Sequence, residues 1–210
     1  MAEPFVTFTS RVMPLGLANV DTDQILPARF LNLTRAEGLD RVLFRDLRLD
    51  DDDRPRAGTV LNDPARADAK VLISRDNFGS GSSREGAVYA LYDSGYRVVV
   101  APGFGDIFHS NSLKNGFLPV TLPADQVEIL LERALADPAY ALTVDLAAQQ
   151  IRDASGDTWP IRIDPFQREL LLSGRDELTH TLELMDRIRA FEADDANAPP
   201  PVPHTTGTPR

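Results

Sequence analysis

The chain contains no cysteine among its 210 residues. That excludes disulfides, a thiolate nucleophile and cysteinyl ligation of zinc or an iron–sulfur cluster. Histidine is almost as scarce, with three copies. His204 lies in a proline-rich tail, His180 projects off the Leu178 stripe and reads as solvated, and His109 sits on a predicted helix where packing is the expected role. None is placed to activate a serine. No apolar run approaches the roughly 18 residues needed to cross a bilayer. Met1-Ala2-Glu3-Pro4 lacks the basic-then-apolar order of a secretory signal, so the expected location is the cytoplasm. Basic residues are outnumbered 22 to 32, a net charge of −10. Such a surface repels phosphate backbones, and no basic stripe with interleaved aromatics offsets it, so neither nucleic acid nor membrane is an expected partner.

What is present is an ordinary globular composition, 42% hydrophobic and 26% charged. A chain of this size buries about 70% of its unfolded surface and needs no staples. The fold class read from it is α/β with a mixed sheet, one domain over 1–193 and a disordered tail over 194–210 that holds five prolines. Residues 5–12 alternate as a half-buried strand. Thr34 is placed to cap a helix over 35–46 with Leu39, Val42 and Leu43 inward, and 47–69 reads as a polar loop. Its run Asp50-Asp51-Asp52-Asp53 lacks the glycine and spaced acceptors of a calcium loop. Strands follow at 70–74, 97–101 and 117–122, separated by helices over 82–94 and from Asp106 to near Gly116. The unbroken Val98-Val99-Val100 implies a parallel strand buried on both faces. Val127, Leu130, Leu131 and Ala134 stripe the next helix. From 141 to 163 the period returns to two, a hairpin or meander, before helices near 165–173 and 176–192. In the last, Leu178, Leu182, Met185 and Ile188 predict a core or interface stripe.

The most informative stretch is Asp76-Asn77-Phe78-Gly79-Ser80-Gly81-Ser82-Ser83-Arg84-Glu85-Gly86. It lies between a strand and a helix, where parallel sheets place ligands. Gly79 and Gly81 let the backbone turn sharply, and a helix N-terminus favours an anion. Arg84 is a guanidinium fork suited to a carboxylate or phosphate, and a cation at that end of a helix wants a compensating anion. The stretch has no lysine of a phosphate-binding loop, no third glycine of a dinucleotide fingerprint and no Gly-x-Ser-x-Gly. Ser82-Ser83-Arg84-Glu85 also matches a capping box, with Ser82 as N-cap and Glu85 reaching back. Both readings of Ser82, catalytic or capping, stand at this point.

Together with Ala101-Pro102-Gly103-Phe104-Gly105-Asp106-Ile107-Phe108-His109, Lys114-Asn115-Gly116-Phe117-Leu118-Pro119, Ile163-Asp164-Pro165-Phe166 and the stretch from Asn19-Val20-Asp21-Thr22-Asp23 to Leu31, this loop resembles the small subunit of bacterial 3-isopropylmalate dehydratase, in the aconitase superfamily. The resemblance runs over roughly residues 5–192. It implies a swivelling β/β/α domain like the aconitase C-terminal domain, which closes over a [4Fe–4S] cluster held by a large subunit. This chain then binds no cofactor itself. The implied reaction isomerises 2-isopropylmalate to 3-isopropylmalate by dehydration and rehydration in leucine biosynthesis, and the substrate is a small dicarboxylate. By resemblance Ser82 is the base, Ser83 and Arg84 contact the substrate, and Arg35 binds a second carboxylate. Asp21, Thr22 and Asp23 are loop-shaping or active-site residues. An Asx turn is an equal reading for Asp21 and Asp23, and a surface role for Arg35. Gly86 stands where relatives carry histidine, and Ser80 and Ser112 where some carry cysteine. The loop from Phe30 to Thr34 is one residue shorter than usual. These departures bear on the substrate, leaving open a related hydro-lyase acting on methylmalate, dimethylmalate or a homoaconitate-type compound. Two further readings are a non-catalytic anion-binding module and an independent serine hydrolase.

Overall fold

Val98 to Ala101 is buried at every position, as its β-branched run predicts, and the sheet spreads to both sides of it. The computed structural model describes residues 3–82 and 84–193. Ser83 and the tail over 194–210, expected to be disordered, lie outside the described residues. In chain order the elements are β1 (Phe8–Pro14), α1 (Thr22–Ile25), α2 (Arg45–Arg48), β2 (Val71–Ile73), α3 (Glu85–Asp93), β3 (Val98–Ala101), α4 (Asp106–Lys114), β4 (Leu118–Thr121) and α5 (Ala124–Ala136), followed by β5 (Ala141–Asp145), β6 (Gln150–Asp153), β7 (Thr158–Pro160), α6 (Pro165–Ser173), α7 (Glu177–Glu183) and α8 (Met185–Glu192). The chain divides into two compact units, one up to Arg175 and one from Asp176.

The first unit holds a seven-stranded sheet in the order β4-β3-β2-β1-β5-β6-β7. β1 is its pivot. Its C-terminal half pairs parallel with β2 (Val12↔Val71) and its N-terminal half antiparallel with β5 (Phe8↔Val144). Burial follows the pairing: β1 alternates where the sheet is antiparallel and is wholly buried where it is parallel, as covering helices on both faces require. β4 ends the parallel side, which is why Pro119 can sit in a strand.

Alternate residues of each strand feed two cores. Val71, Ile73, Val98 and Val100 meet Val127, Leu130, Leu131 and Ala134 of α5 on one face. Leu72, Val99 and Ala101 meet Ala87, Val88, Ala90 and Leu91 of α3 and Phe108 of α4 on the other, together with Ile25, Leu26 and Phe44. The helix expected over 35–46 is instead broken. Thr34 and Glu37 do form a capping box, but Gly38 turns left-handed at φ +94° after one tight turn. Phe44 turns the same way at φ +50°, and its N–H donates to the Ile25 carbonyl at 2.9 Å. Burial of its ring ties this segment to the core. In the second unit the helix expected over 176–192 is two helices meeting at Leu184, and neither buries a residue; Leu178 and Leu182 are exposed, so a core stripe is not what they form.

Beyond the parallel strands the connecting segments stay side by side. Arg75 and Gly79 donate backbone N–H groups to the Leu17 and Val20 carbonyls at 2.9 and 2.7 Å, and Asn19 donates to the Asp76 carbonyl at 2.9 Å. On the other flank Phe78 donates to the Gly103 carbonyl at 3.0 Å and Gly105 to the Phe78 carbonyl at 2.9 Å. The glycine loop is therefore the middle strand of a short extension of the sheet. Gly79 seats it on α4, since a Cβ there would overlap Phe108 Cγ and come 2.6 Å from both Phe108 Cβ and Cδ1. Gly79→Ala should destabilise the fold by about 2–4 kcal/mol in urea unfolding, through overpacking added to backbone strain. Gly156→Ala, where a Cβ meets nothing within 4 Å, bears the backbone cost alone, about 1 kcal/mol. Equal losses in the two variants would mean that the loop is not packed on α4.

Candidate active site

The loop leaves β2 and reaches α3 through Gly79 and Gly81, both at positive φ (+72° and +90°). α3 begins at Glu85, with Arg84 as its N-cap residue at φ −132° and no side-chain cap. This removes the capping reading of Ser82, which lies three residues before the helix. Glu85 does not reach back to it; its Oε1 accepts a hydrogen bond from Asn115 Nδ2 at 2.8 Å. Ser82 is exposed. The residue follows the carboxyl end of β2 and precedes the positive end of a nine-residue helix.

α1 lies against this loop and supplies three of the residues singled out above. Asp21 is its N-cap: Gln24 N–H donates to Asp21 Oδ1 at 2.7 Å, and the Gln24 side chain accepts from Asp21 N–H at 3.0 Å. Thr22 is buried and bonded to the loop backbone at Ser80 and Ser82. Asp23 takes both Nη groups of Arg84, Nη2 to Oδ2 at 2.8 Å, and also accepts from the Ala28 N–H at 3.1 Å. The Arg84 guanidinium beside Asp23 holds its carboxyl below the usual carboxylate range.

Arg84 and Arg35, far apart in sequence, line one cavity of 390 Å³ with Leu26, Leu31, Leu33, Thr34, Leu39, Glu85, Gly86 and Tyr89. Arg35 donates through Nε to Asp93 Oδ2 at 2.9 Å and through Nη2 to Oδ1, and its guanidinium lies 4.7 Å over the Tyr89 ring. Each arginine thus gives two of its five N–H groups to an aspartate of the same chain; Arg84 Nη1 also donates to the Leu26 carbonyl at 3.4 Å, and the remaining N–H groups are left for another acceptor. Gly86 is part of the cavity wall, and a Cβ there would come 2.9 Å from Leu26 Cδ2. Asp93 and Tyr89 escaped the sequence reading. Nothing local links positions 35 and 93; only the packing of α3 against the tight turns after Thr34 joins them.

Ser83 lies outside the described residues. His109 is half-buried with its ring 5.9 Å from Phe104, and burial pushes its pKa down. It lines a different hollow with Asp106 and Thr121. Among the described residues no group of three or more His, Cys, Asp or Glu could hold a metal ion, and no helix is long and apolar enough to cross a membrane.

The Asp23–Arg84 pair has a defined pH signature. A carboxyl whose folded pKa is depressed contributes stability that is complete above its unfolded pKa and is lost as pH falls through the folded value. The stability gap between the wild-type chain and Asp23→Asn should therefore be full at pH 7, begin to narrow below about pH 4 and close only in stronger acid. Melting curves of both chains across that range check it, and a gap that does not change with pH would show that the pair carries no charge-dependent stability.

Comparison with known proteins bears on the same residues. A family model described as the Aconitase C-terminal domain matches residues 2–125, and one described as LeuD_N matches residues 128–165. The 3-isopropylmalate dehydratase small subunit of Brevibacillus brevis is 45% identical over 190 residues, covering 90% of this chain and 98% of that one. Its namesake in Rhodospirillum centenum is 47% identical over 191 residues, covering 91% and 94%. The crystal structure of 3-isopropylmalate dehydratase from Methanocaldococcus jannaschii matches with a TM-score of 0.61 over 88% of this chain and 98% of that chain; at 23% identity the likeness is one of fold. With these matches running nearly end to end, the chain belongs to the 3-isopropylmalate dehydratase small-subunit family of the aconitase superfamily.

Proposed function

We propose that this chain is the small subunit of a heteromeric hydro-lyase that isomerises 2-isopropylmalate to 3-isopropylmalate by dehydration and rehydration, in leucine biosynthesis, and that it works only with its large subunit bound. The observation that best supports this reading is the 390 Å³ cavity, where two guanidiniums stand against a wall of leucines, with the one lining carboxylate, Glu85, engaged by Asn115. A substrate with two carboxylates and one branched alkyl group has the same division of chemistry.

The family's [4Fe–4S] cluster does not fit on this chain. The sequence has no cysteine, and the described residues offer no alternative set of ligands. On this reading the large subunit carries the cluster and the complex resides in the cytoplasm.

What this chain contributes is proton transfer and grip. Ser82 takes the proton from the carbon beside a substrate carboxylate. A serine hydroxyl is a poor base in water, so its alkoxide needs nearby positive potential. The end of α3 and Arg84 supply it, the latter offset in part by Asp23. Arg84 has its Nε edge left for one carboxylate and Arg35 its Nη1 for the other, and Ser83 makes a further substrate contact. Leu26, Leu31, Leu33 and Leu39 take the alkyl group, whose burial is worth about 0.8 kcal/mol per carbon.

In the complex reconstituted with the large subunit, Ser82→Ala should lower kcat by about 10²–10⁴, the range of general-base catalysis, with the melting temperature unchanged. Turnover at the wild-type rate would remove Ser82 as the base and favour a non-catalytic role. With the same complex, kcat/KM should favour isopropylmalate over methylmalate by at least about tenfold. The reverse order would reassign the substrate to a smaller alkylmalate.

A further inference from the structure

We infer that Thr22, which touches no reacting atom, is the positioning residue for Ser82; the inference rests on the assignment of Ser82 as the base. Thr22 is 2% exposed and polar, and both of its donors are given to the loop. Its N–H donates to the Ser80 carbonyl at 2.9 Å and its hydroxyl to the Ser82 carbonyl at 3.0 Å.

Those two carbonyls flank Gly81, at φ +90°. Without a side chain, Gly81 would otherwise be the position about which the loop swings. Thr22 fastens the peptide that enters Gly81 and the carbonyl of the residue that follows it, Ser82. A glycine Cβ built at that point would lie 3.6 Å from Thr22 Oγ1, in ordinary contact, so the hydroxyl sits directly under the turn.

The direction of the bond matters as much as its presence. With its carbonyl held by α1, the Ser82 backbone is restrained to one orientation. The next residue, Asp23, does for Arg84 what Thr22 does for Ser82. Adjacent residues of a single helical turn thus set the base and a substrate-binding arginine in mutual register. Thr22 belongs to the machinery through geometry, and substrate contact is not its role.

Thr22→Val removes the hydroxyl and keeps the shape, whereas Thr22→Ser keeps the hydroxyl. In the complex with the large subunit, Thr22→Val should lower kcat about 10- to 100-fold with KM held within roughly threefold, the mark of a misplaced group that is not a binding group, and Thr22→Ser should restore most of kcat. Rates are taken per assembled complex, by titration with the large subunit, so that weaker assembly is not read as slower chemistry. Ser82→Ala is assayed beside them. If Ser82→Ala abolishes turnover while assembled Thr22→Val runs at the wild-type kcat, or if Thr22→Ser fails to rescue, the positioning role is overturned and Ser82 keeps its own. If Ser82→Ala turns over normally, the assignment of the base fails first and the inference falls with it.

Discussion

The lateral hydrogen bonds that continue past the ends of β1, β2 and β3 are the constraint on which the site depends. A loop between a strand and a helix is ordinarily the most pliable part of such a unit. Here the segment from Arg75 to Ser80 is bonded on one side to residues 17–22 and on the other to 103–105. It behaves as sheet for as long as its neighbours run beside it. The lateral pairing stops at Ser80, and across the turn at Gly81 the restraint passes to the Thr22 hydroxyl on the Ser82 carbonyl. The glycines make this possible: at Gly79 and Gly105 the backbones and the Phe108 ring come closer than any side chain would allow.

Charge is handled with the same economy. The chain carries ten more acidic than basic residues, yet both cavity arginines are bound to aspartates and neither stands free. A buried guanidinium without a partner would be costly to hold in place, and Arg84 is largely buried. Asp23 and Asp93 solve that problem and fix each fork in one orientation. The arginines that remain can accept a dianion without the cavity carrying two uncompensated charges in its absence.

Much of this was legible in the residues. The parallel strands announced themselves as apolar runs, and Val127, Leu130, Leu131 and Ala134 are the very positions that α5 buries. The segment after Thr34 was not legible. Its apolar spacing fits a helix, and the cap at its start is real, but left-handed turns at Gly38 and Phe44 serve the burial of Phe44, a tertiary demand. The start of α3 misled for a related reason. Ser82 to Glu85 has the composition of a capping box, but Asn115 takes the Glu85 side chain and Thr22 takes the Ser82 carbonyl. Of the site itself, the sequence reading reached Arg84 through the chemistry of the glycine loop and Arg35 through resemblance, but their aspartate partners are relations across some sixty positions, invisible to spacing.

α1 is four residues long, far below the length at which a helix persists in water by itself. It is helical because Asp21 closes its first turn and because the glycine loop accepts its donors, and the loop in turn keeps its shape through α1. Neither melts without the other. The two segments, sixty residues apart in the chain, therefore open and close as a single cooperative unit. Their amide protons should exchange with solvent at one shared rate, distinct from that of the strands beneath them.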